Sequence, residues 1–254
     1  MLAHEIHGEG PNVVLLHGFP LDRRIWKQVT PGLEKSMRVI TLDLRGFGQS
    51  HSTEAFTISS LAEDVKDTLD QLGALPAVIG GLSMGGYVTL AFAKQYPADL
   101  TGLLLIDTRA EADTVDGKLD RNRMIELVRA KGPPAIADRM MPKLLWPLNV
   151  EAMPDVVDHL RGIMENCSAG TVEHALIAMR DREDYMDFLP SIEVPARVIV
   201  GESDVITPPA MAQAMSGAIP QCDCIAIRGA GHMTPMERPE EVIALISEFV
   251  SSLA

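Results

Sequence analysis

Ala77-Val78-Ile79-Gly80-Gly81-Leu82-Ser83-Met84-Gly85-Gly86-Tyr87 is the stretch whose reading decides the fold. It opens as an apolar run, sets one serine among glycines, and continues into an apolar helix-like segment from Tyr87 to Tyr96 that stops at Pro97. A short apolar run ending in a sharp turn and a helix is what a buried parallel strand looks like as it leaves the C-terminal edge of a sheet. In that setting G-x-S-x-G is a tight strand-to-helix turn. Small residues at 81 and 85 let the backbone bend and lift Ser83 above the sheet, and the positive end of the next helix points at the same spot. The pentapeptide alone is weak, because a glycine-rich turn can simply pack a helix onto a strand. Its place between strand and helix gives it chemical meaning.

Outward from this turn the same rhythm recurs. Val13–Leu16, Val39–Leu42 and Leu103–Ile106 are further continuous apolar runs, and after residue 195 come Val198–Val200 and Cys224–Ile227. Between them, Ser60 to Leu72 places Leu61, Val65, Leu69 and Leu72 on one stripe, and a helix is expected near 209–217. The last helix starts at Pro239 with Glu240 and Glu241 at its positive end, and Val242, Ile243, Leu245, Ile246, Phe249 and Val250 form its apolar face. Alternating strands and helices predict an α/β fold, a mostly parallel central sheet with helices on both faces. Residues 110–190 break the alternation: prolines punctuate helix-like stretches, and seven of the fourteen methionines fall there. We read 1–109 as the first part of the core, 110–190 as a helical insertion and 191–254 as the second part. Methionine suits either an adaptable hydrophobic surface or the insertion's own small core.

Composition narrows the function classes. The 254 residues are 46% hydrophobic and 22% charged, which fits a globular chain and excludes disorder. A net charge of −13 repels phosphate backbones and anionic lipid, so neither nucleic acid nor a membrane is an expected partner. No apolar run is long enough to span a bilayer, and Met1 to Glu5 does not read as a secretory signal. The acidity is spread along the chain, as expected of a solubility feature. Cys167, Cys222 and Cys224 make no disulfide framework, and reduced thiols point to a cytoplasmic protein. Cys222 and Cys224 alternate with Asp223, so they are expected on one side of a strand as core thiols. His4 and His7, three apart on a strand, face opposite ways, and no metal site is evident.

A serine hydroxyl needs a base, and the base an orienting acid. His232, in Gly229-Ala230-Gly231-His232-Met233, lies past the last apolar strand and before the final helix, at the sheet edge where open α/β sheets bind ligands. His17 also sits at such an edge but reads as loop architecture, and His51, His159 and His174 lack comparable context. Asp204 follows the strand Val198–Val200 and is the candidate acid; Asp107, past Ile106, is its rival. The order Ser83, Asp204, His232 is the chain order this fold uses for such a set.

With these pieces together, the sequence resembles the α/β-hydrolase family over nearly its whole length. The resemblance extends to His17-Gly18-Phe19-Pro20, the loop Asp43 to Ser50, Gly201-Glu202-Ser203-Asp204 with Thr207-Pro208-Pro209, and Glu237-Arg238-Pro239-Glu240. It implies that Phe19 and Met84 donate backbone N–H groups to an oxyanion and that 110–190 stands where the family carries a helical cap. One departure is the start, where only one strand fits before Val13. Ser83 argues against dehalogenases and epoxide hydrolases, which use aspartate there. The Gly81–Gly86 elbow and Asp107-Thr108-Arg109 look similar to carboxylesterases, 3-oxoadipate enol-lactonases and cofactor-free haloperoxidases. The expected function is a cofactor-free serine hydrolase of small carboxylic esters, with lactonase, carbon–carbon hydrolase or perhydrolase chemistry as alternatives. A non-enzymatic ligand-binding member of the fold is the competing class, and a homo-oligomer is compatible with either.

Overall fold

A computed structural model describes residues 1–253. The elements run β1 His4–His7, β2 Asn12–Leu16, α1 Thr30–Leu33, β3 Arg38–Leu42, α2 Ile58–Gln71, β4 Ala77–Leu82, α3 Met84–Gln95 and β5 Leu100–Ile106. Then come five helices: α4 Val115–Lys131, α5 Pro133–Leu144, α6 Pro147–Ala152, α7 Pro154–Glu165 and α8 Ala169–Arg180. The chain closes with β6 Ala196–Gly201, α9 Pro209–Ala218, β7 Cys222–Ile227, α10 Thr234–Glu237 and α11 Pro239–Ser251. All seven strands form one sheet in the order β1-β3-β2-β4-β5-β6-β7, parallel except for β1, which pairs antiparallel with β3 at the edge. The one strand expected before Val13 is therefore the sheet's outer strand.

The apolar runs are continuous because both faces of the sheet are covered. Alternate residues of one strand enter opposite cores: Val14 and Leu16 join the cluster with α2, α3 and α9, while Val13 and Leu15 join that with α1 and α11. The expected elements stand, with two shifts at the central turn. Strand β4 runs on through Gly80-Gly81-Leu82, and α3 begins at Met84, three residues before Tyr87. Glycine is tolerated at 80 because Leu104 crowds that point, leaving a Cβ there only 3.0 Å from the Leu104 Cβ.

The cysteines differ from expectation in degree. Cys222 and Cys224 do pack against one cluster, but both are only half-buried, because β7 is an edge strand. Burial still pushes the Cys222 thiol up to about 11 and the Cys167 thiol up to about 12, so both are protonated and poorly nucleophilic at neutral pH. The methionines of the insertion take the core role. Met124, Met141, Met164 and Met179 are buried, and Met140, Met153 and Met186 pack partly buried against the same clusters.

Candidate active site

Parallel strands deliver their C-terminal ends to one edge, and the candidate residues gather there. Ser83 follows β4 directly with a φ of +54°, a left-handed conformation that costs a non-glycine residue about 1–3 kcal/mol and persists only where its surroundings enforce it. Its N–H donates to the Ile106 carbonyl (2.9 Å), and the Thr108 hydroxyl donates to its carbonyl (2.7 Å). The glycines make the turn possible. A Cβ at Gly81 would stand 2.1 Å from the Gly85 carbonyl oxygen, and one at Gly85 would stand 2.5 Å from that of Leu16. Gly81→Ala is therefore expected to lose about 1–3 kcal/mol, the usual cost of overpacking, and to displace Ser83. A lowered thermal midpoint would show it; an unchanged one would mean the turn has slack.

Three side chains form one hydrogen-bonded line. The Ser83 hydroxyl lies 2.9 Å from His232 Nε2, and His232 Nδ1 lies 2.8 Å from Asp204 Oδ2. Ser83 is half-buried, whereas His232 and Asp204 are buried. The Asp204 carboxylate also accepts from the Thr207 hydroxyl (2.7 Å) and from the N–H groups of Ile206 (2.8 Å) and Thr207 (3.0 Å). These donors saturate it as an anion, so Nδ1 carries the imidazole proton and Nε2 is left to accept from Ser83. Burial disfavours the charge on Asp204, but His232 and the Thr207 donors outweigh it and hold the carboxyl below its usual range.

The Met84 N–H opens α3 and the Phe19 N–H belongs to the loop after β2; among the described residues neither has a protein acceptor. The two segments pack closely, since a Cβ on Gly18 would stand 3.3 Å from the Ser83 Cβ. Two unpartnered donors beside a hydroxyl, an imidazole and a carboxylate can bind a developing oxyanion while a proton moves along the line.

The alpha/beta hydrolase family model matches residues 13–245. The chain belongs to the alpha/beta hydrolase family. Among solved structures it resembles a thermophilic esterase from Thermogutta terrifontis with malate bound, at 40% identity and a TM-score of 0.96 over 99% of this chain and 93% of that one. Among curated relatives it is 31% identical to the AB hydrolase superfamily protein YisY of Bacillus subtilis, covering 96% of this chain and 93% of YisY. It is 29% identical to 3-oxoadipate enol-lactonase 1 of Acinetobacter baylyi, covering 99% and 94%. A hydrolase role for this alpha/beta hydrolase rests on that company.

Within this member of the family the rival acid has another place. Asp107 is buried with a φ of +44°, and its carboxylate makes its hydrogen bonds to groups other than the imidazole. Oδ1 accepts the Gly201 N–H (2.9 Å), and Oδ2 accepts the Thr234 N–H (3.0 Å) and hydroxyl (2.7 Å). It thus ties the end of β6 to the start of α10, two residues after His232. Burial, reinforced by Asp204, pushes its carboxyl up to about 7. His17 is architecture, as expected: its Nε2 accepts the Leu44 N–H (3.0 Å), its Nδ1 lies 2.8 Å from the Gly18 carbonyl, and burial lowers its pKa. Glu237 is the residue whose role the sequence did not disclose. This buried carboxylate accepts from the Gly231 N–H (2.7 Å), the Trp146 N–H (2.8 Å) and the Asn149 amide (2.7 Å), while the Leu144 carbonyl accepts the His232 N–H (2.9 Å). The loop bearing His232 is therefore fastened to the junction of α5 and α6. Its only sequence signal was a place in the Glu237–Glu240 close.

No helix among the described residues is long and apolar enough to cross a membrane. Among them, no group of three or more His, Cys, Asp or Glu is arranged to hold a metal ion.

Proposed function

We propose that this hydrolase is a serine carboxylesterase acting on small esters through an acyl-enzyme intermediate. The observation that carries the reading is the unbroken line from the Ser83 hydroxyl through His232 to a saturated Asp204, with two unpartnered N–H groups beside it. Ser83 attacks the carbonyl while His232 Nε2 takes its proton and passes it to the leaving alcohol. Asp204 holds the tautomer and stabilises the imidazolium, and the Phe19 and Met84 N–H groups receive the oxyanion. In other hydrolases one such donor is worth about 3–4 kcal/mol. Water then repeats the sequence on the acyl-enzyme. The 110–190 segment serves as a cap over this edge, contributing walls that select a small-molecule substrate. No nucleic acid, membrane or cofactor enters the reaction, and three free thiols suit a cytoplasmic setting. Lactone hydrolysis is the second reading, favoured by the enol-lactonase relative, and needs only that the leaving alcohol stays tethered. Turnover of p-nitrophenyl acetate, dependent on Ser83, separates both readings from a non-enzymatic ligand-binding protein.

The pH dependence follows from His232, which must be neutral to act as a base. Burial lowers its pKa, but the Asp204 carboxylate, with Asp107 and Glu237 beyond it, more than offsets this and raises it above 6.5. The rate is therefore expected to fall on acidification with a midpoint above 6.5, not at it. The sign for stability is opposite: a folded pKa raised above the unfolded one stabilises below 6.5, and that stabilisation is lost as pH rises through the folded value. A pH–rate profile of kcat/KM measures the first, and one without an acid limb would remove His232 as the base.

A further inference from the structure

We propose that Glu237 and Asn149 are positioning residues for the general base His232. Through them the segment joining α5 to α6 sets where the imidazole stands, so the 110–190 insertion governs turnover as well as access to the site. The inference rests on the serine hydrolase reading, in which His232 is that base. Glu237 is a buried carboxylate whose four partners are all N–H groups and none a cation. Its two oxygens serve two parts of the chain. Oε1 accepts the N–H groups of Gly231 (2.7 Å) and Met233 (3.3 Å), the residues on either side of His232. Oε2 accepts the Trp146 N–H (2.8 Å) and the Asn149 side-chain amide (2.7 Å), both in the insertion. The same Asn149 nitrogen donates to the Gly229 carbonyl (2.9 Å), so it grips the His232 loop directly as well.

The backbone around the base is held from two sides. The carbonyls of Ile227 and Ala230 accept the N–H groups of Glu202 and Ser203, which follow β6. The N–H groups from 231 to 233 go elsewhere: those of Gly231 and Met233 to Glu237, and that of His232 to the Leu144 carbonyl (2.9 Å). Buried backbone donors must be matched, so these bonds require residues 144–149 to be seated against the loop. The seat is close. A Cβ on Gly231 would stand only 2.6 Å from the Trp146 nitrogen. Glu237 has to be a carboxylate because both its oxygens meet only donors, and an amide would turn an NH₂ toward one pair of them. Misplacing a reacting group by about 1 Å can cost about 10²-fold, so a loosened segment is felt in the chemistry. The charge reaches the imidazole too. Burial lowers the His232 pKa, and Glu237 is, after Asp204 and Asp107, one of the carboxylates that raise it.

The test follows p-nitrophenyl acetate hydrolysis in Glu237→Gln, Asn149→Ala and the double variant. Rates are taken per Ser83 titrated by an organophosphonate, so that unfolded protein is not counted. Each single variant is expected to lose about tenfold or more in kcat, with KM within about twofold of the unaltered protein. Because both break one bridge, the double variant should be little worse than the more impaired single one. Asn149→Ala discriminates best. Asn149 makes no hydrogen bond to Ser83, His232 or Asp204, and the substitution leaves every charge in place. It should nevertheless lower the midpoint of the acid limb of kcat/KM, because it loosens the Asp204 contact that raises the His232 pKa. A role in stability alone would lower the thermal midpoint and leave kcat per titrated site and the acid limb as they are. That result overturns the proposal, as does a change confined to KM, or a loss in the double variant equal to the product of the single losses. Should Glu237→Gln fail to fold, kcat and the acid limb of Asn149→Ala decide the matter. A Ser83→Ala protein that still cleaves the ester would instead refute the serine hydrolase reading, and this proposal with it.

Discussion

Ser83→Ala is expected to abolish ester hydrolysis and leave the fold unchanged. Removing the serine of a comparable set costs about 10⁶ in kcat in one well-studied protease. The hydroxyl's hydrogen bond is to His232, so its loss strips no other group of a partner, while the glycines at 81 and 85 and the Thr108 hydroxyl still enforce the turn. Alanine meets the same positive φ that serine does, so the thermal midpoint should move little. An organophosphonate should add its mass to Ser83 alone in the unaltered protein and to nothing in the variant. Labelling of another serine, or retained activity in the alanine variant, would defeat the esterase mechanism proposed above.

Asp204→Asn is expected to lose about 10⁴ in turnover, the size of effect seen when an asparagine replaces the aspartate of such a triad. Asp204 Oδ2 accepts both His232 Nδ1–H and the Thr207 hydroxyl, so an amide nitrogen there would face two donors, and an amide oxygen there would leave the N–H groups of Ile206 and Thr207 facing nitrogen. Either way the charge that stabilises the imidazolium is gone. Asp107→Asn should behave the other way round. Its carboxylate also meets only donors, from Gly201 and Thr234, but these hold backbone, not the imidazole. The loss of one such buried hydrogen bond costs about 1–3 kcal/mol. For a chain of this size the midpoint falls by about 2–4 °C per kcal/mol. Its turnover should fall by about tenfold or less. Steady-state kinetics and thermal melts on the two variants decide it: a crippled Asp107→Asn beside a nearly normal Asp204→Asn would exchange their roles, with Ser83 and His232 keeping theirs.

The sequence by itself determined the layers and the edge at which chemistry gathers. Strand runs such as Val13–Leu16 are continuous because parallel strands are buried on both faces, and that constraint is local enough to be written in consecutive residues. Gly81-Leu82-Ser83-Met84-Gly85 is legible for the same reason, since a turn this tight excludes side chains at particular positions. The sequence favoured Asp204 over Asp107 as the candidate acid, but which of them hydrogen-bonds His232 is visible only in the tertiary structure. Both follow strands that lie side by side, and they differ in their partners: Asp204 meets His232, whereas Asp107 meets Gly201 and Thr234. Nor does spacing along the chain show that Glu237 fastens the His232 loop to Trp146 and Asn149 across some ninety residues, or that Asp113 gathers arginines from positions 109, 121 and 182. Burial forces each such polar group to find partners, but the sequence does not say which, because those partners become neighbours only when the helices between β5 and β6 close onto the sheet edge.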